Sequence, residues 1–311
     1  MSYKSDLFKA DRIDEAREFP EVLLIDNCSA CNLQCTMCDH RNIKKYRKVE
    51  IMDMGLYRRI VDEIAGENPS ARVWEIFFGD PFLCRDMPGR IAYAKEKGLT
   101  DVVLNSNGVL MSGKKALAVI KAGLDSMYVG IDAAGRETYD KIRVGGNFTV
   151  AVRNVLAYRD MLASHGSAEQ KLFVQFVISD INENEVGPFT EFWKKEGVNV
   201  KIRPKISWAG LVKAANLYEN ECVQRKPCYW LMQTINICTD GRAALCSVDI
   251  HCRVSCGDVS KSSIKEVWHG KLKEYRKMHK QLRFDELPPV CRDCSDWQSA
   301  YAEFEYSGTV E

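Results

Sequence analysis

The sequence lacks three features that would each assign it to a broad class of protein. No uninterrupted apolar run reaches the ~18 residues that a membrane-spanning helix needs. Internal repeats and low-complexity tracts are also missing. Residues 1–19 are polar and charged and do not have the layout of a secretory signal peptide. We therefore expect a cytoplasmic protein that does not associate with a membrane.

An excess of charge of one sign is missing too. The chain has 44 Lys and Arg against 43 Asp and Glu, which gives a formal net charge of +1. A nucleic-acid-binding surface would leave a basic excess, so we expect no nucleic-acid partner. With 311 residues and 46% apolar content, the chain can bury one large core and a smaller one.

Cysteine, in contrast, is abundant, with 13 in the chain. Cytoplasmic thiols stay reduced, so these cysteines are expected to be metal ligands rather than disulfides. Four of them follow the apolar run 22–25: Cys28, Cys31, Cys35 and Cys38. The last three form the pattern C-x3-C-x2-C. Three thiolates at this spacing can hold three irons of a [4Fe–4S] cluster and leave the fourth iron open, whereas four close a cluster for electron transfer.

A zinc site is the alternative interpretation of this loop. Cys28-x2-Cys31 and Cys35-x2-Cys38 would then form two C-x2-C knuckles that close a four-ligand site. The loop by itself is compatible with either metal.

The C-x3-C-x2-C pattern resembles that of the radical SAM superfamily, whose open iron binds the amino and carboxylate groups of S-adenosylmethionine (SAM). The resemblance implies that Cys31, Cys35 and Cys38 ligate a [4Fe–4S] cluster and that SAM is a further cofactor. The family's ligand set begins at the Cys of Cys-Asn-Leu, which here is Cys31, so Cys28 fits the set less well.

The first two hundred residues alternate short β-branched or aromatic runs with amphipathic stretches, which predicts βαβ units and a parallel sheet. We predict strands at 22–26, 73–78, 101–105, 126–132, 173–178 and 200–206, and helices at 53–65, 88–97, 113–122, 148–164 and 185–196. Six such units match the α/β fold of the radical SAM family, an open (β/α)6 partial TIM-type barrel. The three-cysteine loop follows the first strand, where ligand sites gather in parallel sheets.

The sequence pattern changes after about position 215. Cysteine density rises, and Thr239-Asp240-Gly241-Arg242 predicts the turn of a hairpin. We expect an N-terminal extension at 1–20, the barrel at 21–215 and a small cysteine-rich domain at 216–311.

Further segments resemble those with which the family holds SAM. Phe78-Gly79-Asp80-Pro81 is similar to its Gly-Gly-Glu-Pro turn, Asn105-Ser106-Asn107-Gly108 to its Thr-Asn-Gly turn, and Gly130-Ile131-Asp132 to its Ser-Ile-Asp, with Gly in place of Ser. Arg143 lies in a Tyr-x-x-Ile-Arg segment and would clamp the SAM carboxylate. The SAM-binding residues that the resemblance implies are Met37, Gly79, Asp80, Asn105, Asn107, Asp132 and Arg143. Ordinary turns, and a surface ion pair for Arg143, are the alternatives.

A second set of cysteines, Cys228, Cys246, Cys291 and Cys294, resembles the SPASM/twitch extension of radical SAM enzymes. Because no cysteine follows Cys294, the resemblance implies the shortened form with one auxiliary [4Fe–4S] cluster. Four thiolates would fully ligate that cluster, which suits electron transfer. Zinc is again the alternative. Of the remaining cysteines, Cys252 and Cys256 are possible replacement ligands, and the others are interpreted as core residues: Cys84, Cys222 and Cys238.

These resemblances imply a radical SAM oxidoreductase in which reduction of the first cluster releases a 5′-deoxyadenosyl radical from SAM. The reducing electron would come from a donor such as flavodoxin or ferredoxin. The spacing of the last cysteines resembles that of the aminocyclitol dehydrogenase of butirosin biosynthesis, which implies a two-electron alcohol oxidation. The expected substrate is a sugar, an aminocyclitol or a nucleotide sugar, and its candidate contacts at the end of the sixth strand are Arg203, Lys205 and Trp208.

Two other functions remain open. One is a peptide-modifying maturase that forms crosslinks or epimerises residues; the segment before the first strand is too short for the leader-peptide-binding domain that such enzymes often carry. The other is a non-catalytic iron–sulfur or zinc protein.

Overall fold

The computed structural model describes residues 17–212 and 224–300. The N-terminal part of the predicted extension, the predicted boundary near 215 and Cys222 lie outside these residues. Residues 301–311 lie outside them as well.

Six parallel strands form the main part of the sheet, in the spatial order β6-β5-β4-β3-β2-β1. They are β1 (Val22–Ile25), β2 (Arg72–Trp74), β3 (Asp101–Ser106), β4 (Ser126–Gly130), β5 (Lys171–Ile178) and β6 (Asn199–Pro204). The connections carry α1 (Met54–Glu67), α2 (Met87–Glu96), α3 (Gly113–Lys121), α4 (Arg136–Ile142), α5 (Phe148–His165) and α6 (Val186–Lys195). Sequential strands joined by helices are the arrangement of an open (β/α)6 barrel, so the predicted fold class is confirmed.

The C-terminal segment extends the same sheet beyond β1. Strand β7 (Thr234–Ile237) pairs parallel to β1, and β8 (Arg242–Ala244) and β9 (Ser255–Asp258) continue antiparallel. The predicted hairpin turn between β7 and β8 is confirmed. The helices of this segment are α7 (Tyr229–Gln233), α8 (Ile264–His269), α9 (Lys271–Lys280) and α10 (Pro289–Arg292). None of the helices in the described ranges has the length and apolar content needed to cross a bilayer.

Two features of the structure differ from the sequence prediction. Strand β2 ends at Trp74 rather than at position 78. The N–H of Glu75 still bonds the Val103 carbonyl of β3 at 2.9 Å, but the chain then turns toward the cysteine loop: the N–H of Phe78 bonds the Asp26 carboxylate at 3.3 Å, and that of Asp80 bonds the Ala30 carbonyl at 2.8 Å. Helix α4 and the four C-terminal helices were not predicted, since most of them are too short to show a clear apolar period.

The two faces of the parallel sheet differ in chemistry. The face toward the helices is apolar and belongs to the main core, with members such as Leu23, Val102, Met127 and Val174. Residues that are paired in register on neighbouring strands point to the same face of the sheet. The face opposite the helices is the concave face of the barrel. That face carries polar and aromatic side chains, namely Trp74, Asn105, Tyr128, Phe173, Gln175 and Lys201. Polar groups inside a parallel sheet indicate a ligand site rather than a packing core.

Candidate functional site

The three-cysteine loop lies at the carboxyl end of β1 and is held by the segment that follows α4. The backbone N–H of Gln34 donates to the Val144 carbonyl at 2.9 Å, and that of Cys38 closes a turn on Cys35 at 3.2 Å. These bonds fix the loop at the barrel edge where parallel sheets bind ligands.

Hydrogen-bond donors approach the sulfur atoms of this loop. The Asn107 Nδ2 lies 3.9 Å from the Cys31 Sγ, and the Arg143 Nη1 lies 3.7 Å from the Cys35 Sγ. Such donors stabilise thiolates that ligate an iron–sulfur cluster. Burial raises the pKa of Cys31 to about 11, so binding of a cluster must displace the thiol proton. The residues of the loop therefore fit the cluster that the resemblance implies.

Gly79 allows the predicted SAM-binding turn Phe78–Pro81 to approach the three-cysteine loop. A Cβ atom at this position would lie 2.2 Å from the Cys28 carbonyl oxygen and 2.7 Å from that of Ala30. Real Cβ atoms do not come this close to backbone, so only glycine fits here. The turn and the three-cysteine loop are thus packed backbone to backbone.

The Asp80 carboxylate is fully buried and joins two loops. It accepts hydrogen bonds from the Ser106 hydroxyl at 2.9 Å and from the backbone N–H groups of Asn107 and Phe82, both at 3.0 Å. Burial raises the pKa of Asp80, and these donors oppose that rise. The Asp80 carboxylate therefore ties the 78–81 turn to the loop that follows β3.

Arg143 pairs with the fully buried Asp132 and has a side chain that is 15% exposed, in contrast to the surface pair that the sequence left open. The Arg143 Nε donates to the Asp132 carboxylate at 2.6 Å, and its Nη2 bonds the same oxygen. Burial lowers the pKa of Arg143, but the neighbouring Asp132 carboxylate has the opposite effect, and the pKa is raised overall. A Cβ at Gly130 would lie 2.1 Å from the Arg143 Nη2. Glycine at this position therefore makes room for the guanidinium.

The other two predicted SAM-binding residues have different surroundings. Asn105 is half-buried on the concave face of β3, in register with Tyr128. Met37 is half-buried in the three-cysteine loop, and its carbonyl accepts a hydrogen bond from the Trp208 Nε1 at 2.8 Å.

The four C-terminal cysteines, Cys228, Cys246, Cys291 and Cys294, come together around one cavity. The rest of its lining is mainly apolar and aromatic, with Trp230, Leu231, Leu245, Val248, Val290 and Trp297 among the contributors. Burial raises the pKa of all four thiols, that of Cys291 to about 12. Four thiols around an apolar cavity fit a fully ligated [4Fe–4S] cluster.

A zinc ion and a [4Fe–4S] cluster hold four cysteines at different spacings. A zinc site brings each sulfur within about 2.3 Å of one ion. In the ranges 17–212 and 224–300, no three His, Cys, Asp or Glu side chains are arranged to hold a metal ion. A [4Fe–4S] cluster assigns each thiolate to a different iron and so holds its ligands farther apart.

Comparison with known families agrees with both cysteine sites. The model of the radical SAM superfamily matches residues 28–167, and that of the SPASM iron-sulfur cluster-binding domain matches residues 228–295. The chain is a radical SAM protein with a SPASM domain. The first match contains the three-cysteine loop, and the second contains all four cysteines of the cavity.

Relatives of this radical SAM protein include a probable GTP 3′,8-cyclase of Methanococcus maripaludis, 28% identical over 172 residues, which are 55% of this chain and 54% of the relative. The chain spans about half the length of the curated relatives it matches. Among solved structures, the butirosin dehydrogenase BtrN with AdoMet and 2-DOIA has a TM-score of 0.61 at 16% identity, covering 90% of this chain and 94% of BtrN. Streptococcus suis SuiB, bound to its precursor peptide SuiA, has a TM-score of 0.66 at 11% identity, covering 81% of this chain and 65% of SuiB. At these identities, the likeness shows the fold.

A buried histidine of the SPASM domain contacts the four-cysteine cavity. The Nδ1 of His279 accepts a hydrogen bond from the Cys228 backbone N–H at 3.1 Å, so in the neutral ring the Nε2 carries the proton. That Nε2 lies 3.2 Å from the Cys291 Sγ and donates to it. Sequence reasoning missed His279, because nothing in its spacing from Cys291 marks it as a neighbour.

A second histidine joins the SPASM domain to the three-cysteine loop. The Nε2 of His251 lies 2.7 Å from the carboxylate of Asp39, the residue after Cys38, and both side chains are buried. The rings of Tyr46 and Phe78 pack on His251 with centroid distances of 4.2 and 5.7 Å. The two cysteine sites are therefore held in one packed unit.

The three predicted substrate contacts separate in the structure. Arg203 contacts the Gln175 Oε1 at 3.4 Å and shares its register with Val177 on the concave face. Lys205 instead lies 3.7 Å from the Asp180 carboxylate, and Trp208 packs on the three-cysteine loop. Lys201, which the sequence analysis did not single out, lies on the concave face.

The remaining cysteines of the described ranges have packing roles. Cys28 and Cys84 are buried members of the main core. Cys238 and Cys252 form a smaller buried cluster in which their thiols hydrogen-bond each other. Cys256 belongs to the main core near the SPASM helices.

Proposed function

We propose that this radical SAM protein is an oxidoreductase that removes two electrons from an alcohol group of a small molecule, and that it holds two [4Fe–4S] clusters. The observation that carries the proposal is the cavity lined by four cysteines, Cys228, Cys246, Cys291 and Cys294. Four thiolates leave no iron open to a substrate, which favours electron transfer at this second site.

When bound, the cofactors supply a 5′-deoxyadenosyl radical at the first site and an electron acceptor at the second. Conversion of an alcohol to a ketone takes a hydrogen atom, a proton and an electron from the substrate. The protein holds the reacting carbon close to the first site and excludes water from it. On this proposal, the turn at Gly79 and the Arg143–Asp132 pair orient SAM, and the polar concave face orients the substrate.

The likeness to BtrN supports this assignment. The fold is similar to that of BtrN, whose structure contains AdoMet and 2-DOIA. The GTP in the name of the cyclase relatives is compatible with a small-molecule substrate, including a nucleotide sugar. We propose that the reducing electron comes from a donor such as flavodoxin or ferredoxin.

A peptide-modifying maturase is the second candidate, and the likeness to SuiB with its bound precursor peptide favours it. A non-catalytic iron–sulfur protein is the third, and it predicts that SAM is not cleaved.

The test measures 5′-deoxyadenosine released from SAM by the anaerobically reconstituted and reduced protein, with Cys35→Ala as the inactive control. Two clusters correspond to about eight irons per chain, and Cys246→Ala should retain about four. Release that rises with a small-metabolite extract, together with oxidation of an alcohol in it, supports the dehydrogenase. A rise only with a peptide extract supports the maturase. No Cys35-dependent release with either extract contradicts both enzyme functions.

A further inference from the structure

Lys201 places a positive charge on the concave face of the barrel. It is in register with Gln175 of β5, and its Nζ lies 4.9 Å from the centroid of the Tyr128 ring. Burial, with Arg203 and then Arg72 as charged neighbours, lowers the pKa of Lys201 to about 7. Arg72 is paired with the Asp101 carboxylate at 2.7 Å, whereas the Lys201 Nζ faces the Tyr128 ring.

Two buried amide side chains on the same face carry polar atoms that find no hydrogen-bond partner among residues 17–212 and 224–300. The Nε2 of Gln175 is unpartnered in a side chain that is 3% exposed. Both amide atoms of Asn236 are unpartnered in a residue that is fully buried. Asn236 is in register with Leu24, which is in register with Trp74, so the concave face continues onto β7. Buried donors without partners are costly unless a ligand or water satisfies them.

An aromatic wall lies beside these polar groups. The Tyr128 ring stacks on Phe173 with a centroid distance of 4.6 Å and an interplanar angle of 8°, and Trp74 lies 5.1 Å from Tyr128 on its other side. Tyr128 is buried, yet it does not belong to the apolar core behind the sheet. The wall offers a flat apolar surface for the body of a small molecule.

The face is adjacent to the predicted SAM site. Gly130 of β4, which makes room for Arg143, is in register with Gln175, and Gln175 is in register with Lys201. Two strand spacings separate Gly130 from Lys201, about 10 Å. A molecule bound between Lys201 and the aromatic wall would therefore lie next to SAM.

We propose that the substrate carries an anionic group, a phosphate or a carboxylate, that Lys201 and the Nε2 of Gln175 bind, while its body packs on the Trp74–Tyr128–Phe173 wall. This inference rests on the proposed function, because it names the class of substrate for the same site. A bound anion would pair with the Lys201 ammonium group and would accept a hydrogen bond from the Gln175 Nε2.

The experiment separates a small-metabolite extract by anion exchange and measures Cys35-dependent 5′-deoxyadenosine release with each fraction. We expect stimulation by the anionic fraction. Alkaline phosphatase should abolish it if the group is a phosphate monoester and leave it intact if the group is a carboxylate. With the purified active component, Lys201→Met should raise KM at least about tenfold, and Lys201→Arg should restore part of the affinity. The control is Lys194→Met, which changes an exposed residue of α6 and should behave like the wild type.

Stimulation confined to the neutral or cationic fraction overturns the inference but leaves the oxidoreductase proposal standing. The same holds if Lys201→Met, with intact cluster absorbance, responds like the wild type. If no fraction stimulates release, the anion site is tested by acetylation with acetic anhydride. Mass spectrometry then measures the extent of acetylation at Lys201 and Lys194. Protection by inorganic phosphate, pyrophosphate or succinate, relative to Lys194, supports the anion site independently of activity. Equal acetylation with and without all three anions overturns it.

Discussion

At the scale of single residues, position 130 shows how a departure from a family pattern is compensated. The resemblance implied a serine that contacts SAM, and this chain has glycine. In the structure, the guanidinium of Arg143 occupies the space next to that glycine and is held there by Asp132. The missing hydroxyl and the paired arginine are therefore two parts of one arrangement.

Gly130→Ser should weaken SAM binding by about tenfold, because the new Cβ would displace one end of the Arg143–Asp132 pair. Equilibrium dialysis of SAM against the reconstituted protein measures the change. Gly187→Ser is the matched control, since a Cβ at Gly187 on α6 meets nothing within 4 Å. Equal affinity in the two variants would show that Arg143 does not position SAM.

At the scale of elements, α9 carries a polar side chain into the four-cysteine cavity. His279 is fully buried near the end of this helix and is held between Cys228 and Cys291. Burial, with Arg225 next, lowers the pKa of His279 to about 4, so the ring is neutral at ordinary pH. A neutral ring with a fixed tautomer is a permanent N–H donor to the cysteine sulfur.

His279→Phe should lower the midpoint potential of the second cluster, because the N–H···S bond stabilises the more negative, reduced form. If removal of the N–H···S bond destabilises the reduced cluster by about 1.4 kcal/mol, the midpoint potential falls by about 60 mV for a one-electron couple. A redox titration followed by electron paramagnetic resonance measures the shift, with the exposed His165→Phe as control. An unchanged potential at full iron content would exclude this role for His279.

At the scale of the whole molecule, the barrel and the C-terminal strands form one nine-stranded sheet with shared buried networks. One network lies behind the three-cysteine loop, where the buried Glu75 accepts hydrogen bonds from Tyr57 at 2.7 Å and Asn27 at 2.5 Å. Burial raises the pKa of Glu75 to about 7, against an ordinary value near 4.5. Charging this group inside the fold therefore opposes folding.

The stability of the protein should fall as the pH rises from about 4.5 to about 7, because the folded state holds the Glu75 proton more tightly than the unfolded state does. Above the folded pKa the cost levels off, at up to about 3 kcal/mol. Glu75→Gln should raise the thermal midpoint at pH 8 and have little effect at pH 5, as measured by anaerobic calorimetry of the reconstituted protein. An equal effect at both pH values would show that Glu75 does not titrate in this range.

The sequence alone predicted features that depend on neighbours along the chain. The strand and helix alternation predicted the six-unit barrel, and the C-x3-C-x2-C pattern indicated the first site, because local periodicity and ligand spacing are properties of short segments. The domain limits and the individual ligand roles stay predictions. The early end of β2 could not be predicted from local pattern, since the backbone donors of Phe78 and Asp80 bond residues about fifty positions earlier in the chain.

Only the tertiary structure decided which distant side chains meet. Strand register turned Lys201 and Gln175 toward one face, and the packing of α9 brought His279 to Cys291. A register shift of one residue would reverse the face of every side chain in a strand, and nothing in a single strand's sequence specifies its neighbour's position. Local spacing determined the ligand pattern of the three-cysteine loop. Long-range packing determined the groups that surround this loop and brought Cys228, Cys246, Cys291 and Cys294 together, because burial and hydrogen bonding act between segments that are far apart in sequence.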